Sequence, residues 1–199
     1  MSNKKNNHSD NITLVQKFVD IMNNNNLSEL EYESDDVKLK ISNKVINTNW
    51  RISLEKKIYI LNGPNLNLLG TREPEKYGTT TIKELEILCQ NQCKKNNLDL
   101  LFFQSNFEGE LIEKIHQARN NACGIIINAG ALTHTSIAIL DALTMFDGPK
   151  IEIHITNVYA RESFRHKSYI SPVATAIIAG LGANSYLLAI DAINKILDA

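Results

Sequence analysis

The sequence predicts an α/β fold in which a five-stranded parallel sheet is covered by helices on both faces. After about residue 55, five short apolar and β-branched runs alternate with four longer amphipathic stretches, always strand before helix. All nine glycines and all four prolines lie at or after Gly63, whereas residues 1–50 contain eleven asparagines and neither Gly nor Pro. The change in composition near residue 55 therefore separates a different N-terminal segment from an α/β domain.

The predicted strands are nearly continuous apolar runs, which is typical of strands buried on both faces. They are IYIL (58–61), LDLLFFQ (98–104), CGIIIN (123–128), KIEIHI (150–155) and ATAIIAG (174–180). Helical patterns cover residues 81–96, 108–121, 135–146 and 183–198. Thr81 and Glu84, three residues apart, predict a capping box at the first helix. Five parallel strands with right-handed crossovers favour a flavodoxin-like order, with ligands at the carboxyl ends of the strands.

Residues 1–55 are predicted to be an appendage and linker, separate from a domain at residues 56–199. ITLVQKFVDIM, from residue 12, has the apolar spacing of a helix, and the asparagine run after it ends the pattern. LSELEYE and VKLKIS, from residues 27 and 37, alternate like the two strands of a hairpin. The stretch VINTNWRIS is predicted to be a linker, and no chemistry is apparent in it.

Charge and cysteine content favour small-molecule chemistry in the cytoplasm. The formal net charge is -1 with acidic and basic residues mixed, so a surface for nucleic acid or anionic membrane is not expected. The polar N-terminus and the lack of a long uncharged apolar run predict neither a signal peptide nor a membrane span. Cys89, Cys93 and Cys123 match no disulfide or zinc spacing and are interpreted as small buried side chains.

Polar clusters follow four of the predicted strands, and the first is the long loop LNGPNLNLLGTREPEKYG. This loop offers Asn65, Arg72 and Tyr77 to a ligand, and its length is typical of a lid. Taken singly, a loop Tyr or Arg is usually a surface residue. Together they predict a base, because a tyrosine that normally titrates near about pH 10 needs a permanent cation nearby to become phenolate.

The second cluster, NAGALTHTS (128–136), links a strand to a helix and places Asn128 and His134 near backbone donors that bind anions. Within it, Thr133, Thr135 or Ser136 could serve only as a helix cap.

The third cluster, EIHITN, places Glu152 and His154 on one side of a strand, so the carboxylate can orient the imidazole as a proton donor. A purely structural histidine is the alternative. The fourth, YARESFR, offers Arg161 and Arg165 for hydroxyl or carboxylate recognition, or equally for a surface ion pair.

Four motifs together resemble the type II 3-dehydroquinate dehydratases: LNGPNLNLLGTREPEKYG, NAGALTHTSIAILDAL, EIHITNVYARESFR and SPVATAIIAGLGANSYLLAI. They are collinear from about residue 57 to residue 198. The resemblance implies a hydro-lyase that converts 3-dehydroquinate to 3-dehydroshikimate by anti elimination through an enolate, in the shikimate pathway. It also implies trimers assembled into a homododecamer, and neither a metal nor an organic cofactor. A degradative quinate pathway would use the same reaction and residues, so the sequence leaves the pathway open.

The resemblance assigns catalytic roles to four residues. Tyr77 would remove the proton alpha to the ketone, and Arg72 would stabilise its phenolate and the transition state. His154 would protonate the departing hydroxyl, and Asn65 would hold a water against the enolate oxygen. This combination suits the chemistry, because a weakly acidic proton needs a strengthened base and a stabiliser for the oxyanion. A glycine-rich phosphate fingerprint is missing after the first strand, which disfavours flavin or nucleotide binding.

The resemblance also implies a set of substrate-binding groups: Asn128 and the backbone amides of Ile155 and Thr156 for the carboxylate, His134 and Arg165 for ring hydroxyls, and Asp141 from a neighbouring subunit. Glu152 and Arg161 would support the site. Thr156 stands where the family usually has Ser, and a backbone donor survives that exchange.

The N-terminal segment ITLVQKFVDIMNNNNLSELEYESDDVKLKIS is similar to the beginning of biotin carboxyl carrier proteins of acetyl-CoA carboxylase, without the biotin-accepting domain. It could dock a carboxylase partner, be a remnant of gene fusion, or be inert. For the whole chain, the alternative is a non-catalytic flavodoxin-like scaffold or a carboxylase-docking module. The presence of Arg72, Tyr77, Asn128 and His154 counts against that alternative.

Overall fold

The computed structural model describes Lys17 and residues 29–34, 37–42, 56–71 and 78–198. The chain divides into two compact units, residues 1–53 and residues 54–199. In the first unit, strands β1 (Glu29–Ser34) and β2 (Val37–Ser42) pair antiparallel, which confirms the predicted hairpin. Apart from Lys17, which is helical, the predicted N-terminal helix lies outside the described residues, as does the linker.

The second unit contains a five-stranded parallel sheet in the order β4-β3-β5-β6-β7. Its strands are β3 (Lys57–Asn62), β4 (Asp99–Gln104), β5 (Gly124–Asn128), β6 (Lys150–His154) and β7 (Ala176–Ala179). The predicted flavodoxin-like order is confirmed. The direction of winding reverses between β3 and β5, whose last residues, Asn62 and Asn128, lie opposite each other in register. In such sheets, ligands bind at this reversal.

Four helices cover the sheet: α1 (Ile82–Lys95), α2 (Glu108–Asn121), α3 (Ile137–Thr144) and α4 (Asn184–Leu197). The capping box predicted at α1 is present, with the Thr81 amide donating to Glu84 at 2.8 Å. Helix α3 is two residues shorter at each end than the predicted range 135–146, because Ser136 is its N-cap and Met145 its C-cap. Of the three possible caps, Ser136 is the one used, and it accepts from the Ile139 amide at 2.8 Å.

The apolar side chains form two layers, one on each face of the sheet. Helices α1 and α4 pack on the face that carries Ile58 and Ile60, and α2 and α3 pack on the face that carries Tyr59 and Leu61. This alternation is the period-2 pattern of a strand buried on both sides. None of the helices within the described ranges is long and apolar enough to cross a membrane.

Cys89 and Cys93 are buried in these layers, which confirms the prediction for two of the three cysteines. Cys89 and Cys93 lie on the inner face of α1, where burial raises the pKa of each thiol to about 12. Cys123 is half-buried, and burial raises its pKa as well. Within the described ranges, His, Cys, Asp and Glu side chains form no group of three or more suited to a metal ion.

Candidate active site

A cavity of about 120 Å³ lies at the carboxyl ends of β3, β5 and β6, between the loops that follow these strands. Eight of the residues predicted for the site line it: Asn65, Asn128, His134, His154, Ile155, Thr156, Arg161 and Arg165. Three separate stretches of sequence are therefore brought together at the point where the winding of the sheet reverses.

The loops after β3 and β5 approach each other closely. The Gly63 amide donates to the Asn128 carbonyl at 2.8 Å, and a Cβ at position 63 would lie 2.3 Å from the Ala129 carbonyl oxygen. Glycine is therefore required there. Two residues later, Asn65 has a φ of 68°, a left-handed conformation that asparagine tolerates better than most residues. The backbone N–H of Asn65 donates to Asn106 Oδ1 at 2.9 Å, which holds this turn beside the cavity.

Glu152 and His154 point to the same side of β6, as the sequence predicts. The imidazole Nε2 lies 2.9 Å from Glu152 Oε1. Glu152 is fully buried behind His154, whose exposed fraction is 8% and which forms part of the cavity wall. A carboxylate only accepts hydrogen bonds, so Nε2 carries a proton and donates it to Glu152.

Two serines complete the surroundings of the buried carboxylate. Ser168 donates to Glu152 Oε1 at 2.9 Å, and Ser171 donates to Oε2. Burial alone would raise the pKa of Glu152, but hydrogen bonds from His154, Ser171 and Ser168 outweigh it and lower the pKa. Glu152 is therefore held as a carboxylate without contact with solvent.

His134 is oriented by the same loop that holds Glu152. Its Nδ1 lies 2.7 Å from the Lys167 carbonyl oxygen, and its ring stacks on that of His154 with centroids 6.4 Å apart and planes 9° from parallel. Since a carbonyl only accepts, Nδ1 carries the proton. In the neutral ring, Nε2 is then an acceptor.

Asn128 ends β5 with a side chain that is 3% exposed. Its Nδ2 donates to the hydroxyl of Tyr186 at 2.8 Å, and its Oδ1 accepts from the Gly130 amide at 3.3 Å. Tyr186, from α4, is fully buried and donates to Asn62 at 2.7 Å. The amide of Asn128 is thus held from both sides where it meets the cavity.

The two predicted arginines lie on the third loop, in and beside short 3-10 turns. Arg165 Nε donates to Glu162 at 2.9 Å, and Arg161 Nε lies 3.5 Å from the same carboxylate. Both guanidinium groups are partly exposed, so they contribute positive charge to a cavity wall that remains open to water.

Asp141 does not reach this cavity. It lies on an exposed part of α3 and is not among the residues that line the cavity. Arg72 and Tyr77 lie outside the described residues. For these three residues the roles implied by the sequence stay predictions.

Four residues that hold these side chains in place are not predicted from the sequence: Asn62, Ser168, Ser171 and Tyr186. Asn62 could have been noticed, because it ends a buried strand beside Asn128. The serines stand in an irregular loop without a pattern, and Tyr186 looks like any apolar residue of an amphipathic helix.

Comparison with known proteins places this geometry in a family. The family model described as dehydroquinase class II matches residues 56–194. A "3-dehydroquinate dehydratase" from Dinoroseobacter shibae is 54% identical over 136 residues, covering 68% of this chain and 91% of that protein. A "catabolic 3-dehydroquinase" from Debaryomyces hansenii is 56% identical over 142 residues, covering 70% and 99%.

A solved structure agrees with the sequence comparisons. The type II dehydroquinase from Butyrivibrio crossotus superposes with a TM-score of 0.69 at 46% identity, covering 70% of this chain and 98% of the other. The chain belongs to the dehydroquinase class II family.

Proposed function

We propose that this chain catalyses the dehydration of 3-dehydroquinate to 3-dehydroshikimate. The observation that carries the proposal is the Glu152 and His154 pair in the wall of a cavity that also contains Asn128 and two arginines. This arrangement combines a proton donor with groups that bind a carboxylate and hydroxyls. Membership of the dehydroquinase class II family supports the choice of substrate.

The first step breaks a C–H bond alpha to the ketone. Tyr77, as a phenolate stabilised by Arg72, takes the proton, and the electron pair moves onto the ketone oxygen to form an enolate. The cation beside the phenol makes this possible near neutral pH, because it favours the charged form. Asn65 holds a water against the enolate oxygen, in keeping with its position at the cavity rim.

The second step breaks the C–O bond on the beta carbon. The enolate electrons return to form the C=C bond of the enone, and the hydroxyl leaves as water with a proton from His154. Because Nε2 is engaged by Glu152, the transferred proton comes from Nδ1. The buried carboxylate keeps the ring oriented and stabilises its protonated form, as the partner of a catalytic histidine does elsewhere.

Recognition of the substrate uses the remaining groups of the cavity. Asn128 and the backbone amides of Ile155 and Thr156 bind the carboxylate. His134, with Nε2 as an acceptor, and Arg165, as a donor, bind ring hydroxyls; Arg161 adds positive charge. Opposite hydrogen-bonding polarity at the two hydroxyl contacts favours one orientation of the ring.

A closed homo-oligomer, a homododecamer assembled from trimers, is part of the proposal. Asp141 lies between Ile137 and Met145 at four-residue spacing along α3, and these two apolar residues are 57% and 44% exposed. A helix face of this kind suits contact with another copy, which would receive Asp141 in its own cavity. Sedimentation at assay concentration tests this, since an active monomer would exclude a shared site.

Two further features of the proposal are the pathway that uses the reaction and the role of residues 1–55. Relatives of similar identity include proteins described as 3-dehydroquinate dehydratase and as catabolic 3-dehydroquinase, so similarity does not separate biosynthesis from degradation. For residues 1–55, an inert appendage is favoured over docking to a carboxylase. The cytoplasmic location expected from the polar N-terminus stays a prediction.

The test of the reaction is direct. The purified full-length protein is mixed with 3-dehydroquinate, and the ultraviolet absorbance of the conjugated enone is followed. We expect a rise with wild-type protein and a strongly reduced rate with His154→Ala. Folded wild-type protein that produces no absorbance change would favour the non-catalytic scaffold.

A further inference from the structure

Asn62, Tyr186 and Asn128 form a continuous chain of hydrogen bonds inside the protein, next to the cavity. The Tyr186 hydroxyl donates to Asn62 Oδ1 at 2.7 Å, and Asn128 Nδ2 donates to the Tyr186 hydroxyl at 2.8 Å. The exposed fractions of the three residues are 0%, 0% and 3%. Buried polar atoms of this kind depend on each other for partners, because water does not replace a lost contact.

At each end of this chain of hydrogen bonds, the last partner is a backbone group, which is either a donor or an acceptor and cannot change from one to the other. At one end, Asn62 Nδ2 donates to the Phe103 carbonyl on β4 at 3.1 Å. At the other end, the Gly130 amide donates to Asn128 Oδ1 at 3.3 Å. A carbonyl only accepts and an amide N–H only donates, so these two groups act as a fixed acceptor and a fixed donor.

The side chains between these ends have one consistent arrangement. The Phe103 carbonyl turns the NH₂ of Asn62 towards itself, which leaves Asn62 Oδ1 for the Tyr186 hydroxyl. That hydroxyl donates its only proton to Asn62, so towards Asn128 it can act only as an acceptor. Asn128 must then turn its NH₂ group towards Tyr186 and its oxygen towards Gly130.

This arrangement decides what Asn128 presents to the cavity. One hydrogen of its NH₂ group is used by Tyr186, and the second is available to a ligand. A rotated amide would instead present an oxygen to an anion and repel it. Burial raises the pKa of Tyr186, so the hydroxyl keeps its proton and the polarity of the chain is the same across the working pH range.

We infer that Tyr186 and Asn62 are positioning residues that hold the Asn128 amide with an N–H donor directed at the substrate carboxylate. The inference rests on the proposed function, because it takes the carboxylate of the substrate as the ligand of Asn128. It adds two residues that lie 124 positions apart in the chain and do not touch the substrate.

The first test is Tyr186→Phe, which keeps the ring in the core and removes the hydroxyl. We expect KM for 3-dehydroquinate to rise about tenfold, as for a weakened hydrogen bond to a charged group, while kcat changes by less than about threefold. The matched control is Tyr59→Phe, which removes a hydroxyl from another buried tyrosine, on the other face of the sheet. An unchanged KM in Tyr186→Phe, or an equal rise in Tyr59→Phe, would overturn the inference.

A double-mutant cycle separates positioning from general packing. In an Asn128→Ala background, Tyr186→Phe should raise KM no further, because Tyr186 acts through the missing amide. Effects that simply multiply would show that Tyr186 acts independently of Asn128. Asn62→Leu provides a second break in the chain and should raise KM in the same direction, which keeps the test open if Tyr186→Phe folds poorly.

A measurement without turnover distinguishes failure of this inference from failure of the proposed function. The side-chain NH₂ resonances of Asn128, identified by their loss in Asn128→Ala, should shift in both Tyr186→Phe and Asn62→Leu. The shift in Asn62→Leu is decisive, because Asn62 reaches Asn128 through Tyr186. If the wild-type protein is active but the Asn128 resonances do not shift in the two variants, the hydrogen-bond chain is overturned and the reaction stands. If the wild-type protein is inactive but the resonances shift in the variants, the reaction is refuted and the hydrogen-bond chain stands.

Discussion

Glu152 and His154 form a pair in which the carboxylate is completely buried and the imidazole separates it from the cavity, with 2.9 Å between Oε1 and Nε2. The carboxylate receives further hydrogen bonds from Ser168 and Ser171. A charge in this position is little screened by water, so it acts strongly on the ring beside it. Two predictions follow from this relationship, one for turnover and one for stability.

For turnover, Glu152→Gln keeps the size of the side chain and removes its charge. We expect kcat to fall by roughly a hundredfold, with a small change in KM, because a general acid contributes about that factor and Gln supports a protonated imidazole poorly. Steady-state kinetics with 3-dehydroquinate checks this. The control is Glu113→Gln, on the exposed surface of α2, and a kcat equal to that control would remove Glu152 from the mechanism.

For stability, the lowered pKa of Glu152 predicts a loss of folding free energy in acid. The folded pKa lies below the ordinary value of 4.5, so the stabilisation is complete above that value and disappears as the pH falls through the folded pKa. Chemical denaturation between about pH 6 and pH 3 measures how the free energy of unfolding depends on pH. We expect the slope for Glu152→Gln to be smaller than the slope for wild type, by up to about 1.4 kcal/mol per pH unit. A slope equal to that of wild type would contradict the prediction.

Tyr77→Phe tests the base. The ring is retained and the phenolate is lost, so we expect turnover to fall by about a thousandfold or more while a carboxylate product analogue binds within about threefold of wild type. Calorimetry measures the binding, and the absorbance assay measures the rate. Turnover within an order of magnitude of wild type would exclude Tyr77 as the base.

The buried cysteines should not react with thiol reagents in the folded protein. With a pKa of about 12, roughly one in ten thousand of the Cys89 and Cys93 side chains is a thiolate at pH 8. Burial also keeps a reagent away from both sulfur atoms. We expect an aromatic disulfide reagent to leave both unmodified in the folded protein and to label all three cysteines in denaturant. Rapid native labelling at position 89 or 93 would show that the core around α1 opens easily.

Deletion of residues 1–55 should leave an active enzyme. The described residues of the cavity begin at Pro64, the first strand of the sheet begins at Lys57, and the family match begins at residue 56. We expect kcat and KM within about twofold of the full chain, because domains of this size carry their own core. Loss of activity, or breakdown of the oligomer on sedimentation, would make the segment part of the enzyme.

Local patterns in the sequence determine the elements of this fold. Continuous apolar runs predict buried parallel strands, and the spacing of apolar residues predicts helices, because both patterns repeat over a few residues of one segment. The capping box at Thr81 is equally local. The same reasoning places Glu152 and His154 together, since alternation along a strand puts residues two apart on one side. The ends of helix α3 are overestimated by two residues each, because the spacing of apolar residues does not mark which residues are the caps.

The sequence by itself determined the strand and helix order and eight of the residues that line the cavity. The tertiary structure decided what holds those residues. Ser168 and Ser171 reach Glu152 from an irregular loop, and Tyr186 reaches Asn62 from a helix 124 residues later in the chain. Such partners depend on how separate elements cross in space. Hydrogen bonds between distant segments leave no periodic trace in the sequence, because each partner satisfies only the local requirements of its own loop or helix.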